Sequence, residues 1–390
     1  MRRPTTAHFL RWATDLLCCG SPADSLVLRS TRLVAVVVVV LVLFGGLFAW
    51  RLFVEPPPEA GAADTSLPGD QGRAGYVVTR EGTTLSPEPG GAGALIAAHL
   101  IFPVSAEASG AFEVLDNCNR TGWVAVDDVD PGIVPTAKGE DMAGSVFVID
   151  PGHGAPDLGA VGPGGLTEAK ANIDVSSRVV ELLSDSRDID WVSGSVTPGT
   201  TYHAAAVAIS TRSADGPNGG DYELGLTFRA ELGNAVDATA LVSIHHNTQP
   251  THDTEGPGTS AFVSVDNEES PRLGGLLVDE VRRSLSGFEA DWVGGNSSLV
   301  ARVDENGEDY YSILAGSDVP AAIIEGAYIS NPSEEELIAT DAFRQAYAEG
   351  VYRALVRFVL TDDYPIPQPE PELFDPDAPP RSMDDCVTPR

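Results

Sequence analysis

The sequence predicts an α/β fold: an open, mainly parallel twisted sheet with helices on both faces, behind a single-pass N-terminal transmembrane helix. Three observations carry this. Residues 145–360 alternate short β-branched runs with longer stretches whose apolar residues recur every three or four positions, the pattern of repeated βα units. Several apolar runs stop in ligand-capable side chains, as in LVSIHHNTQP (241–250), which is how an open α/β sheet presents the carboxyl ends of its strands. Residues 33–50, LVAVVVVVLVLFGGLFAW, are apolar and uncharged throughout, and as a helix they would reach roughly 27 Å at about 1.5 Å per residue, nearly a bilayer core.

The chain then divides in order. Residues 1–32 carry Arg2, Arg3, Arg11, Arg29 and Arg32, whereas Glu55, Glu59, Asp64 and Asp70 follow Arg51, so the charge bias places a cytoplasmic N-terminal tail before the 33–50 helix and everything after it outside the membrane. The long leader before the apolar run favours an uncleaved anchor; small residues at Ala60, Ala62 and Ala63 keep cleavage, and hence secretion, as the alternative. Residues 51–74, rich in Pro, Gly and Ala, read as a linker. Residues 75–144 are an accessory extracytoplasmic region with a strand-like GYVV and a hairpin, FEVL and WVAV around DNCNRTG, and no motif that carries chemistry.

Residues 145–361 are the main domain. Strands are expected at SVFVID (145–150), WVSGSV (191–196), ATALVSIH (238–245), TSAFVSV (259–265) and PAAIIEG (320–326). Helices are expected over 167–186, with Thr167 as N-cap, and near 224–236, 271–286 and 342–360. Residues 362–390 form a Pro-rich acidic tail that is not expected to pack on its own.

Composition narrows the function classes. With 57 acidic against 24 basic residues and no basic stripe, nucleic-acid binding is excluded. Cys18 and Cys19 precede the span; Cys118 and Cys386 follow it, in a disulfide-permissive space where two cysteines permit one bridge between the accessory region and the tail. No internal repeat is visible.

Four residues sit at or just after predicted strand ends: His153 in VIDPGHG, Glu168 opening the next helix, His245 in SIHHN and Glu325 in AAIIEG. In a parallel sheet those ends converge on one crevice. Two imidazoles and a carboxylate are a ligand set for catalytic zinc, and a second carboxylate supplies a base. Singly, each has a plainer reading: a loop histidine bonded to backbone, a carboxylate at a helix N-terminus, a paired core acid. His245 and His246 point to opposite faces of a regular strand, and periodicity alone does not choose between them.

The segments VFVIDPGHGAPDLGAVGPGGLTE, LVSIHHN and ILAGSDVPAAIIEGAYISNPSEEELI, in that order, resemble the zinc-dependent N-acetylmuramoyl-L-alanine amidases that cut bacterial peptidoglycan, over a little more than half the chain. The resemblance implies one Zn2+ held by His153, Glu168 and His245, Glu325 as catalytic acid and base, and peptidoglycan as substrate. It selects His245 as the ligand; His246 is a departure, a substrate contact, a donor behind the ligands or only a loop residue, and Asn247 shapes the same loop. Arg212 and Arg229 match as well, Arg229 as structural support, while Ser260 stands where relatives often have an acid. Some relatives close the site with a helix before the strand at 259–265; TQPTHDTEGPG (248–258) is too short and broken for one, so an open site is expected. The competing functions are another cell-wall zinc peptidase or amidohydrolase, and a wall-binding module without catalysis. The intact set of four argues against the latter.

Overall fold

The computed structural model of the chain describes residues 72–136, 139–248, 252–253, 255–294, 299–374, 386 and 388–390. The expected cytoplasmic tail, transmembrane helix and nearly all of the linker lie outside the described residues, and no helix among the described residues is long and apolar enough to cross a membrane.

The accessory region is an antiparallel sheet of β1 (Arg73–Thr79), β2 (Ile101–Ala108), β3 (Ala111–Leu115), β4 (Thr121–Ala125) and β5 (Val129–Val134), in the order β4-β3-β2-β1-β5. The expected hairpin is β3 and β4, with Phe112 opposite Val124 and Leu115 opposite Thr121. Alternating apolar residues, among them Val77, Phe102, Val114 and Val124, turn one face inward, where they meet Leu224 and Phe228 of the main domain.

The main domain is built on β6 (Val146–Pro151), β7 (Val207–Ser210), β8 (Ala240–Asn247), β9 (Ser260–Val263), β10 (Leu299–Val303), β11 (Ala321–Tyr328) and β12 (Pro371–Leu373), in the order β7-β6-β8-β11-β9-β10-β12. The first four run parallel, β9 runs antiparallel to β11, and β10 and β12 follow the direction of β9. The reversal follows from chain length: the short 248–259 connection leaves no room for a crossover helix, so the chain turns back after β8. Helices α1 (Glu168–Ser184), α3 (Ser270–Leu285) and α5 (Asp341–Leu360) cover one face through Val175, Val179, Leu276, Val281, Val351 and Leu355; α2 (Leu226–Ala235) covers the other through Leu232. The short α4 (Pro332–Ile338) follows β11, its N-cap Asn331 accepting a hydrogen bond from the Ser333 amide.

Two expectations are corrected. WVSGSV is not a sheet strand: Trp191 starts a turn in which Asp190 Oδ1 accepts from the Val192 amide, and only Val196–Pro198 is extended, in a hairpin with Arg187–Ile189 away from the sheet. Trp191 is buried for a different reason, its indole N–H donating to the Tyr202 hydroxyl at 2.8 Å. The true second strand is β7, whose four residues VAIS give too short a pattern to stand out. The tail is also more engaged than its composition implies. Residues 371–373 extend the sheet as β12, Cys386 is bonded to Cys118 with a Cα separation of 5.7 Å, and the Ala97 amide donates to the Pro389 carbonyl at 2.9 Å.

Candidate active site

The carboxyl end of β6 opens the site. Its last acid, Asp150, is fully buried and accepts from Thr211 Oγ1 at 2.5 Å, Ser243 Oγ at 2.6 Å and Arg229 Nη1 at 2.7 Å. Burial opposes its charge, yet Arg229 and the two hydroxyls hold its pKa below the ordinary value. Arg229 also donates to the Pro151 and His153 carbonyls at 2.9 and 2.8 Å, and Arg212 to those of Pro151 and Gly152 at 2.8 and 3.1 Å. Both arginines therefore fix the loop that carries His153, in line with the structural part expected of Arg229.

His153 itself sits at φ +62°, a left-handed conformation that a non-glycine residue keeps only when its surroundings impose it. Gly152 before it is required by contact: a Cβ there would lie 2.1 Å from His245 Nε2. The two imidazoles stand edge to face with centroids 4.9 Å apart.

Glu168 opens α1 behind Thr167, which occupies the N-cap position without a side-chain capping bond. Its carboxylate bridges both rings: Oε2 lies 3.1 Å from His153 Nε2 and Oε1 2.9 Å from His245 Nδ1. Oε1 also accepts from the His246 amide at 3.2 Å, and Oε2 from that of Ala160 at 2.9 Å. His153 Nδ1 is bound to Asp157 Oδ2 at 2.8 Å, which leaves Nε2 facing Glu168. Burial opposes the charge on Glu168, but the two histidines pull its pKa well down. Burial likewise works against a charged His153, and Asp157 and Glu168 overcome it, raising its pKa to about 9; burial prevails at His245, whose pKa is lowered.

One nitrogen from each histidine and one Glu168 oxygen lie within 4.8 Å of one another. Side-chain movements of under about 1 Å bring such a trio to the spacing of ligands bonded at about 2.1 Å to a single ion. The donor chemistry also fits: two neutral-capable imidazoles, one carboxylate, and an outer carboxylate, Asp157, orienting one ring as metal-binding histidines require.

The sheet register decides the histidine pair. His245 is the cross-strand partner of Glu325 on β11 and shares a face with Ser243, whereas His246 turns to the helix side with Ile244. There it is buried, its Nδ1 2.9 Å from Asn172 Oδ1 and its ring against Tyr347 at 5.5 Å; burial lowers its pKa to about 4. Asn247 accepts from the Thr248 amide through Oδ1 and from the Ile329 amide through its carbonyl, so it holds the loop.

Glu325 lies beside this cluster. Its Oε2 is buried with no partner, and burial followed by repulsion from Glu168 raises its pKa to about 8. Ser260 stands opposite it on β9. Of the 248–258 segment, residues 249–251 and 254 lie outside the described residues; the remainder holds a two-residue strand, His252–Asp253, paired with Val293–Gly294.

Sequence reasoning missed Asp150, Asp157 and Asn172. Asp157 and Asn172 had a signal, each falling four residues after a proposed ligand, within reach along a tight loop or one helical turn. Tyr347, which donates to the His245 and Ile324 carbonyls at 3.1 and 2.9 Å, had none.

Comparison with known proteins shows the family. A family model described as N-acetylmuramoyl-L-alanine amidase matches residues 147–357. The germination-specific N-acetylmuramoyl-L-alanine amidase of Bacillus subtilis is 26% identical over 225 residues, 56% of this chain and 81% of that protein. The amidase AmiC of Neisseria meningitidis is 25% identical over 57% of this chain and 55% of its own length. Among solved structures, an N-acetylmuramoyl-L-alanine amidase from Clostridium difficile superposes with a TM-score of 0.42 at 22% identity, over 56% of this chain and 98% of that one.

Proposed function

Because this chain belongs to the N-acetylmuramoyl-L-alanine amidase family, we propose that it hydrolyses the amide between the lactyl group of N-acetylmuramic acid and the L-alanine of the peptidoglycan stem peptide. The observation that carries the proposal is the convergence of His153, Glu168 and His245 beside the unpartnered carboxyl oxygen of Glu325.

His153, Glu168 and His245 would hold one zinc ion, which supplies a Lewis acid for the amide carbonyl and eases deprotonation of water. Glu325 moves the protons. In the metal-free chain burial and Glu168 push this carboxyl upward, toward the range in which one group can both accept and return a proton. Its Oε2 takes the proton of the attacking water and delivers it to the departing L-alanine nitrogen. Asp157 fixes the His153 ring, and Asn172 spans the Gly152 carbonyl and His246, so the base of the site is held from behind.

The 33–50 segment anchors the enzyme with its N-terminus in the cytoplasm and the catalytic domain outside, a placement supported by the charge bias around it and by a disulfide that belongs to an oxidising compartment. The short 248–258 connection leaves the site open, so soluble muropeptides are cut without an activator. The test is zinc content measured beside product masses. One zinc per chain with a free lactyl group and a peptide beginning in L-alanine supports the reading; cleavage at another bond refutes it.

A further inference from the structure

The face of the sheet that carries Glu325 continues past it. Ile323 on β11, Phe262 on β9 and Val300 on β10 lie on that face, and two residues beyond Val300 the same alternation places Arg302. Its guanidinium is stacked 4.5 Å from the Phe262 centroid and 4.8 Å from that of Phe374, and Nη1 donates to the Tyr311 hydroxyl at 2.6 Å. Phe374 is brought there by β12, its amide donating to the Val303 carbonyl at 2.9 Å.

Other buried arginines of the domain are committed, Arg229 to Asp150, Arg353 to Glu280 and Arg357 to Asp279, and Arg212 to the Pro151 and Gly152 carbonyls. Arg302 makes no ion pair among the described residues and is half-buried, its one side-chain hydrogen bond among them running from Nη1 to Tyr311. In a chain of net charge −33, that is an open cationic fork held rigid between two rings. A guanidinium so fixed loses little freedom on binding and matches a carboxylate in shape and charge.

We propose that Arg302 selects a free carboxylate on the stem peptide of the substrate, about two to three residues beyond the bond that is cut. The register sets the spacing. The guanidinium folds back over Phe262, which pairs with Ile323, two positions before Glu325; two strand residues and one step between strands span about 7 and about 5 Å, the length of about two to three residues of extended peptide. Ser260, opposite Glu325, puts no competing negative charge on β9 at that level.

The inference rests on the amidase reading, and the experiment separates the two. The full chain is assayed on two muropeptides that differ only in carrying a free carboxylate or a carboxamide at that residue. The wild type should favour the carboxylate in kcat/KM by about 10-fold, the scale of a charge-assisted hydrogen bond. Arg302→Gln, which keeps the stacking and a donor for Tyr311, and Arg302→Ala should lose that preference through KM while changing kcat on the carboxamide form less than about twofold; Arg302→Lys should restore part of it. A preference that survives in Arg302→Gln, or an equal fall in kcat on both substrates, overturns the proposal, the latter because it assigns Arg302 to the charge on Glu325. Equal cleavage of both forms by the wild type sinks the carboxylate selection alone, whereas cleavage of neither sinks the amidase reading.

Discussion

Replacing Glu325 by Gln separates the proton carrier from the metal ligands. The carboxyl is raised from 4.5 to about 8, first by burial and then by Glu168. The folded chain therefore binds more protons than the unfolded one between those values, and this group makes stability fall as pH rises through that window. At pH 7 the difference is about 2.5 pH units, about 3 kcal/mol at about 1.4 kcal/mol per unit, and less to the extent that the half-buried residue keeps water. Glutamine keeps the shape and cannot ionise. Urea unfolding of the metal-free Glu325→Gln variant should show a gain of about 1–3 kcal/mol at pH 8 that vanishes at pH 4, while zinc content is unchanged and turnover falls by about 10²–10⁴-fold. Loss of bound zinc would make Glu325 a ligand. A variant that turns over normally, or is destabilised alike at both pH values, would refute the role and the electrostatic argument respectively.

His245→Ala should strip the metal, whereas His246→Ala should retain it and lose about 1–3 kcal/mol of stability by leaving Asn172 without its imidazole partner; equal metal loss in both variants would contradict the register argument. Asp150→Ala should destabilise by about 3–5 kcal/mol in urea, because Arg229 would stay buried without its carboxylate. Since the Asp150 pKa is depressed, the stability it provides is present above the ordinary carboxylate range and is lost as pH falls through its folded value, so wild type and variant should converge in acid.

The alternation of residues 145–360 was enough to read the βα architecture, because both periodicities are local properties of the chain. Most of the elements lie where their patterns put them: β6, β8 and β11 match their apolar runs, and α1, α3 and α5 their helical spacing. The four candidate site residues were legible for a related reason. A polar side chain at the end of an apolar run is visible in one dimension, and a parallel sheet brings such ends together whatever its strand order. The WVSGSV segment shows the limit, since apolar residues there serve a buried turn and a hairpin, and the sheet strand VAIS is too short to compete as a pattern.

Strand order, the antiparallel junction of β11 with β9 and the face on which each histidine lies were decided by tertiary structure. They depend on which strands pair, and pairing joins residues far apart in sequence: His245 with Glu325, Asp150 with Arg229, Arg302 with Phe262. By itself, the chain determined which side chains could do chemistry. Only the fold decided which of them share a low-dielectric pocket, and there burial and neighbouring charge push the Glu325 pKa up and the His246 pKa down, shifts that no local pattern encodes.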